Sequence, residues 1–332
     1  MTEELALTLQ AALRDADSQD PRYRLAAAER LWGTHEENAQ VLPTIRRLST
    51  DEMGPIRHVA FLALREACDP DDIILYEEGL SDGYLPVQQV SLQGLVALGA
   101  PLARERVEEW LNADSEAYRE TAVYALADGW PEEASRRIEI FLTDANMTVR
   151  LAAAQTLAEL ADPESRNALA AALSDEDSAV RRSISQALAK LGDRRALPGL
   201  LEALGTASEL ADRLACLEDL GNLGEADAIP HLDQVARRPL ASLMERAGAG
   251  ASLHRLGSAE GQKYLRAVLR AWRSYARPYA VSLIGEHRIA ALEPELRRLQ
   301  GTRGAPENLT WALNALAGDG AEPPTPLESG SS

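Results

Sequence analysis

Aromatic residues make up only 5% of this 332-residue chain, and just two of them are phenylalanine. A sizeable core must then be filled by alanine and leucine, both strong helix formers. The expectation is an all-α protein with about two-thirds or more of its residues helical. Cysteine is scarce too: Cys68 and Cys216 share no metal-ligand spacing, which argues against a thiolate zinc site or a disulfide framework. Cys216 falls on the apolar side of its helix and reads as a small buried hydrophobe. Basic charge is in deficit, with 34 Lys and Arg against 52 Asp and Glu, a net charge of −18. Such a body repels phosphate backbones, so no nucleic-acid partner and no anionic membrane partner is expected. No apolar run approaches the ~18 residues of a membrane span. The acidic start, Met1-Thr-Glu-Glu-Leu, lacks a basic segment followed by an apolar one, so no secretory leader is expected and the cytoplasm is the expected compartment.

What the chain has in abundance is repetition. Arg24, Arg57, Gln88, Arg119, Arg150, Arg181, Arg213, Arg246, Arg277 and Asn308 follow one another at spacings of 31 to 33 residues. Seven residues after each stands a small or apolar side chain: Leu31, Leu64, Leu95, Leu126, Leu157, Leu188, Leu220, Leu253, Ile284 or Ala315. A fixed period of this length marks a solenoid, in which each unit buries its apolar face against its neighbours. The repeats override the length-based expectation of two domains. They predict one array over 1–317 and a Pro-, Gly- and Ser-rich tail over 318–332 whose composition predicts disorder.

The sixth unit is the clearest. Residues 165–173 read as a first helix, 174–179 as a turn, and Val180 to Leu191 as a second helix with Val180, Ile184, Ala187, Leu188 and Leu191 on one face. Asp177 is placed to cap that second helix, and Ser115, Asn146 and Ser242 hold the equivalent place in other units. Gly192, Gly224 and Gly257 suit a left-handed helix end. Pro86 is tolerated at a helix start. Gly248 and Gly250 lie inside a second helix, where each costs about 1 kcal/mol relative to alanine. They mark either a close approach of a neighbouring helix or a bend, with a change of curvature expected near residues 240–260.

The motifs Asp51…Ile56-Arg57, Asp144…Val149-Arg150 and Asp175…Val180-Arg181, each followed by an Ala/Leu helix, resemble HEAT repeats, specifically the short HEAT-like type of bacterial scaffolds and phycobilisome lyase-type proteins. The resemblance covers roughly residues 3–317 and implies a right-handed α-solenoid of about ten stacked helix-turn-helix units. It also implies that the Asp and Arg positions knit neighbouring repeats together, with Asp51, Asp82, Asp144 and Asp175 each six residues before an Arg or Gln. In such a fold the second helices line the concave surface.

Taking the repeated Arg as position zero, a rotation of about 100° per residue sends positions −1, +3, +7 and +10 to the core and +1, +5 and +8 away from it. The outward set includes Leu62, Arg65, Gln89, Gln93, Tyr124, Leu151 and Gln155, and flanking position +4 adds Phe61. These eight are the candidate partner-binding residues. The strip is poor in charge: Glu29, Arg65, Glu120, Arg182 and Glu218 are its charged members. An apolar, amide-rich strip suits a protein or peptide partner, whereas a phosphate-tracking groove needs Lys and Arg at successive turns. Close packing between adjacent second helices is the alternative use of the same residues.

Sites for chemistry are missing. HEAT-like hydroxylases use several His-Glu pairs to hold iron, and this chain has His35-Glu36 and the reversed Glu286-His287, far apart. Its five histidines show no H-x-x-x-H spacing, and no Gly-rich phosphate loop or nucleophile elbow occurs. The expectation is a non-enzymatic, monomeric scaffold or adaptor without catalytic residues, cofactor or metal. The alternative implied by the resemblance is a lyase-type or chaperone-like protein handling a linear tetrapyrrole or another apolar ligand.

Overall fold

A computed structural model describes residues 3–36, 38–271, 275–302 and 305–318. Over these residues the chain is helical and divides into two compact units, Met1–Thr156 and Leu157–Ser332. The first unit opens with α1 (Glu3–Asp15) and α2 (Pro21–Leu31), followed by α3 (Val41–Leu48) and α4 (Gly54–Ala67). Next come α5 (Ile73–Gly79) with α6 (Leu85–Ala97), and α7 (Pro101–Leu111) with α8 (Glu116–Gly129). The fifth pair is α9 (Pro131–Ile138) and α10 (Met147–Leu160), and the division falls inside α10. The second unit continues the rule with α11 (Arg166–Ala171), α12 (Ser178–Lys190), α13 (Leu197–Thr206) and α14 (Leu210–Leu223). It ends with α15 (Ile229–Arg237), α16 (Leu243–Arg255), α17 (Ala259–Arg270), α18 (Arg277–Glu286), α19 (Glu293–Leu299) and α20 (Leu309–Ala317). From α2 to α16 each repeated Arg, or Gln88 in its place, is the fourth residue of an even-numbered helix, while Arg277 opens α18 and Asn308 caps α20. The predicted tail lies outside the described residues apart from Gly318.

The apolar columns explain why the pairs stack. Positions −1, +3 and +7 are buried wherever the pattern is clean: Ile56, Ala60 and Leu64; Val149, Ala153 and Leu157; Val180, Ile184 and Leu188. Position +10 is looser, with Ala67, Leu98 and Leu191 only half-buried because each lies at or beyond the last turn. Ends form largely as the local chemistry dictates. Asp177 accepts from the Ala179 and Val180 nitrogens, Asn146 accepts from the Thr148 nitrogen, and Ser242 with Glu245 closes a reciprocal capping box. Ser115 makes no side-chain cap, contrary to expectation. Gly192, Gly224 and Gly257 take φ of 66°, 77° and 77°.

The Asp–Arg ladder implied by the HEAT resemblance forms in the first unit, and it does more than join repeats. Arg57 donates through Nη1 to the carbonyls of Asp51 (2.8 Å) and Glu52 (3.1 Å), tying down its own turn. Its other edge grips Asp82 of the next repeat with two bonds of 2.7 and 2.6 Å. Arg119 repeats this with the Ala113 and Asp114 carbonyls and with Asp144 at 2.8 and 2.9 Å. Arg24 does the same with Ser18, Gln19 and Asp51. Each aspartate also accepts a backbone N–H two residues on, from Met53, Tyr84 or Asn146. Where Gln88 replaces the arginine, it donates to the Asp82 carbonyl and accepts from the Tyr118 hydroxyl at 2.7 Å. Burial pushes the carboxyls of Asp51, Asp82 and Asp144 up, but the arginine bonds, the backbone N–H and the nearby positive charge bring each below its ordinary value.

In the second unit a close backbone approach stands out instead. A Cβ on Gly250 would sit 3.1 Å from the Gly261 carbonyl oxygen, and one on Gly261 would be 2.5 Å from the His254 nitrogen. Glycine at both positions lets α17 lie directly on α16. Close approach is thus the reason for Gly250. A Cβ on Gly248 would meet Leu214, Leu217 and the Tyr279 hydroxyl at ordinary contact distance.

Candidate interaction face

Four second helices of the first unit present the charge-poor strip. His58, Leu62 and Arg65 come from α4, Gln89 and Gln93 from α6, Glu120 and Tyr124 from α8, and Leu151 and Gln155 from α10. All of these are half-buried except Gln155, which is exposed. The polar members are organised across repeats. Arg65 donates to Gln93 Oε1, Gln89 Nε2 to Thr121 Oγ1 (2.8 Å), and the Tyr124 hydroxyl to Gln155 Oε1 (2.9 Å). Each bond joins a helix to the next second helix in the chain, so the side chains are held in place before any partner arrives. Leu62 and Leu151 supply the apolar surface between them.

Phe61 is the correction to the sequence reading. It is 3% exposed, stacks at 5.7 Å on Tyr76, and lies against Gly79, whose missing side chain makes room for it. The whole +4 column behaves alike: Leu92, Val123 and Leu217 are buried. Position +8 is divided, with Arg65 and Ala127 half-buried and Val96 and Ala158 buried. The face is therefore built from positions +1 and +5 with Arg65 beside them, while +4 is packing between helices. The alternatives of open strip and tight packing are thus both realised, in different columns. Burial and the charge of Arg65 lower the His58 pKa, and the His58 ring meets Tyr84 edge-on at 6.4 Å.

The corresponding face of the second unit has a different character. Arg182 pairs with Asp212 at 3.4 Å, and Gln186 donates to Asp219 at 3.1 Å. Asp219 is buried, and burial pushes its carboxyl up to about 6, with the Gln186 bond opposing and the Glu218 charge assisting. Burial raises the carboxyl of Glu286 as well, with repulsion from Glu218. Burial takes Tyr279 up to about 12 and His287 down to about 4. Positions +1, +5 and +8 do not include Asp219, Tyr279, Glu286 or His287. The adjacent pairs Glu218-Asp219 and Glu286-His287, near the ends of their helices, were the available signal. Among the described residues no group of three or more His, Cys, Asp or Glu side chains is arranged to hold a metal ion. Among them, too, no helix is long and apolar enough to cross a membrane.

This arrangement of helix pairs, keyed by an Arg at most second helices, is similar to that of HEAT-like repeats. The family model for HEAT repeats matches residues 134–218, and the same pair recurs on both sides of that stretch. The chain is similar to the crystal structure of YibA from Escherichia coli, with 17% identity and a TM-score of 0.52 over 77% of this chain and 97% of that one. It is also similar to the complex of CpcE and CpcF of phycocyanin lyase from Nostoc, at 18% identity, 75% and 93% coverage and a TM-score of 0.45. Human deoxyhypusine hydroxylase matches at 20% identity, 77% and 96% coverage and a TM-score of 0.32. At these identities the likeness is one of fold. No curated protein matches the sequence.

Proposed function

We propose that this protein is a non-enzymatic scaffold, a cytoplasmic monomer that holds a partner protein or peptide against the strip formed by α4, α6, α8 and α10. The observation that carries this reading is the strip itself. Half-buried Leu62, Tyr124 and Leu151 alternate with glutamines whose amides are already fixed across repeats. Pre-ordered side chains lose less entropy when a partner arrives, so more of the contact energy appears as affinity. Tyr124 is the anchor, an aromatic with a polar tip of the kind that dominates interface energetics. A linear tetrapyrrole or other apolar ligand is the competing occupant of the same strip.

The test uses a photo-crosslinking residue at position 124 and, separately, at Ile140, which is 68% exposed outside the strip. A discrete protein adduct at 124, absent at 140 and lost when Leu62→Asp is added, is the expected result. No adduct at 124, or one indifferent to Leu62→Asp while the chain stays equally helical, overturns the reading. A purified protein that takes up bilin in proportion to its concentration transfers support to the competing ligand.

A further inference from the structure

The Asp–Arg ladder breaks in the second unit, and a cavity stands at one of the breaks. In the intact rungs formed by Arg57 and Arg119, the aspartate lies 25 residues after the arginine, at Asp82 and Asp144. The residue 25 after Arg213 is Arg238, and the residue six before Arg246, the place Asp51 holds before Arg57, is Leu240, so this repeat carries no aspartate at either register. The backbone equivalence is close: Asp144 has φ −59° and ψ 146°, Asp175 has φ −51° and ψ 143°, and Arg238 has φ −55° and ψ 131°. Arg238 thus leaves its helix with the backbone angles of Asp144 and Asp175.

Around this broken rung lies a cavity of about 390 Å³ among α13, α14 and α15. Arg213, Arg238, His231 and Gln234 line it together with Leu201, Leu204 and Val235, and no carboxylate is among its lining residues. Gly205 at the rim leaves open space where a side chain would stand. Arg213 donates through Nε to Glu245 (2.7 Å) and through Nη1 to the Leu204 carbonyl (2.8 Å), and its Nη2 has no acceptor among the described residues. The guanidinium of Arg238 and the imidazole of His231 have no hydrogen-bond or ion-pair partner among the described residues. Arg213 is paired with Glu245, so the charge that faces the cavity without a carboxylate partner among the described residues is that of Arg238, with His231 also in the lining.

We infer that this cavity binds a small apolar carboxylate, whose head group lies between Nη2 of Arg213 and the guanidinium of Arg238 while its body lies on Leu201, Leu204 and Val235. The chain itself supplies the precedent for the head group, because Nη2 of Arg57 and of Arg119 in this column donates to a carboxylate, at Asp82 and Asp144. The volume lies within the usual range for small-ligand pockets. An apolar floor with a few convergent charged groups is the composition that fixes a ligand's orientation. Nothing in this inference rests on the partner strip of the first unit. A free short-chain acid and the carboxyl end of a peptide share the chemistry.

Titration calorimetry on the full chain tests it, with hexanoate standing for the free acid, N-acetyl-leucine for a peptide end, and hexanamide as the uncharged isostere. Hexanoate or N-acetyl-leucine is expected to bind about tenfold or more tightly than hexanamide, and the tighter of the two identifies the source. Arg238→Asp puts a carboxylate into the cavity and is expected to weaken binding about tenfold or more while the melting temperature holds or rises. Arg238→Gln serves as the second variant should the first not fold, with a loss of the same direction. No heat from either acid at about 10 mM, equal binding of hexanamide, or undiminished binding by both variants overturns the inference.

Discussion

The two halves of this molecule build the same helix pair and hold it with different devices. In the first unit, three arginines each clamp their own turn and the aspartate of the following repeat, at distances of 2.6 to 3.1 Å. In the second, Arg181 finds Glu202, Arg213 finds Glu245, and Arg246 and Arg277 donate to backbone carbonyls. There the glycines of α16 and α17 bring backbones together, and a carboxylate is buried at Asp219. Directional, charge-assisted bonds fix the register of a repeat without demanding close packing. Glycine contacts do the reverse, so the period can persist while its enforcement changes.

Breaking a rung is expected to have the largest effect. Asp144→Ala strips a half-buried Arg119 of its partner and removes the acceptor of the Asn146 nitrogen. The expected loss is about 3 kcal/mol, read by urea unfolding. A loss under about 0.5 kcal/mol, the scale of an exposed pair, would make the ladder decorative. Next comes the glycine contact. Gly261→Ala places a methyl inside contact distance of the Gly250 carbonyl and the His254 nitrogen. Backbone must shift, at a cost of about 2 kcal/mol by the same measurement.

The smallest effect sharpens the contrast by its sign. The carboxyl of Asp219 is raised in the fold to about 6 from an ordinary 3.8, so its contribution is most favourable below about 4 and is lost as pH rises through about 6. The aspartates of the ladder are lowered, so theirs is present above the ordinary carboxylate range and is lost as pH falls below it. Asp219→Asn is therefore expected to stabilise by about 1–2 kcal/mol at pH 7.5, an advantage that fades toward pH 4. Unfolding curves of both proteins across that window check it, and a gain independent of pH would point to something other than the buried charge.

Much of this was legible in the sequence because the period is long and its apolar columns strict. Ten arginine-type positions matched ten second helices among the described residues, and Val180, Ile184 and Leu188 are buried as their spacing requires. Phe61 was misplaced because a single-helix wheel puts +4 within about 40° of +8 and knows nothing of the neighbouring helix. What decides its fate is Gly79, 18 residues on, whose missing side chain admits the ring. The cavity at Arg238 was invisible for a related reason. The pattern marks aspartates that are present, and a repeat that lacks one shows its cavity only when the neighbouring helices are in place.

The clamp on the turn has an evolutionary consequence. Because an arginine side chain seizes two backbone carbonyls, the turn's shape is set from outside the turn, and any residue with a carbonyl will serve. Ser18-Gln19, Asp51-Glu52, Ala113-Asp114, Asp144-Ala145 and Asp175-Glu176 all satisfy the same grip. Turn letters are thereby released from geometric duty and can drift, acquire charge or be recruited as surface, one repeat at a time, while the pitch of the array is inherited unchanged.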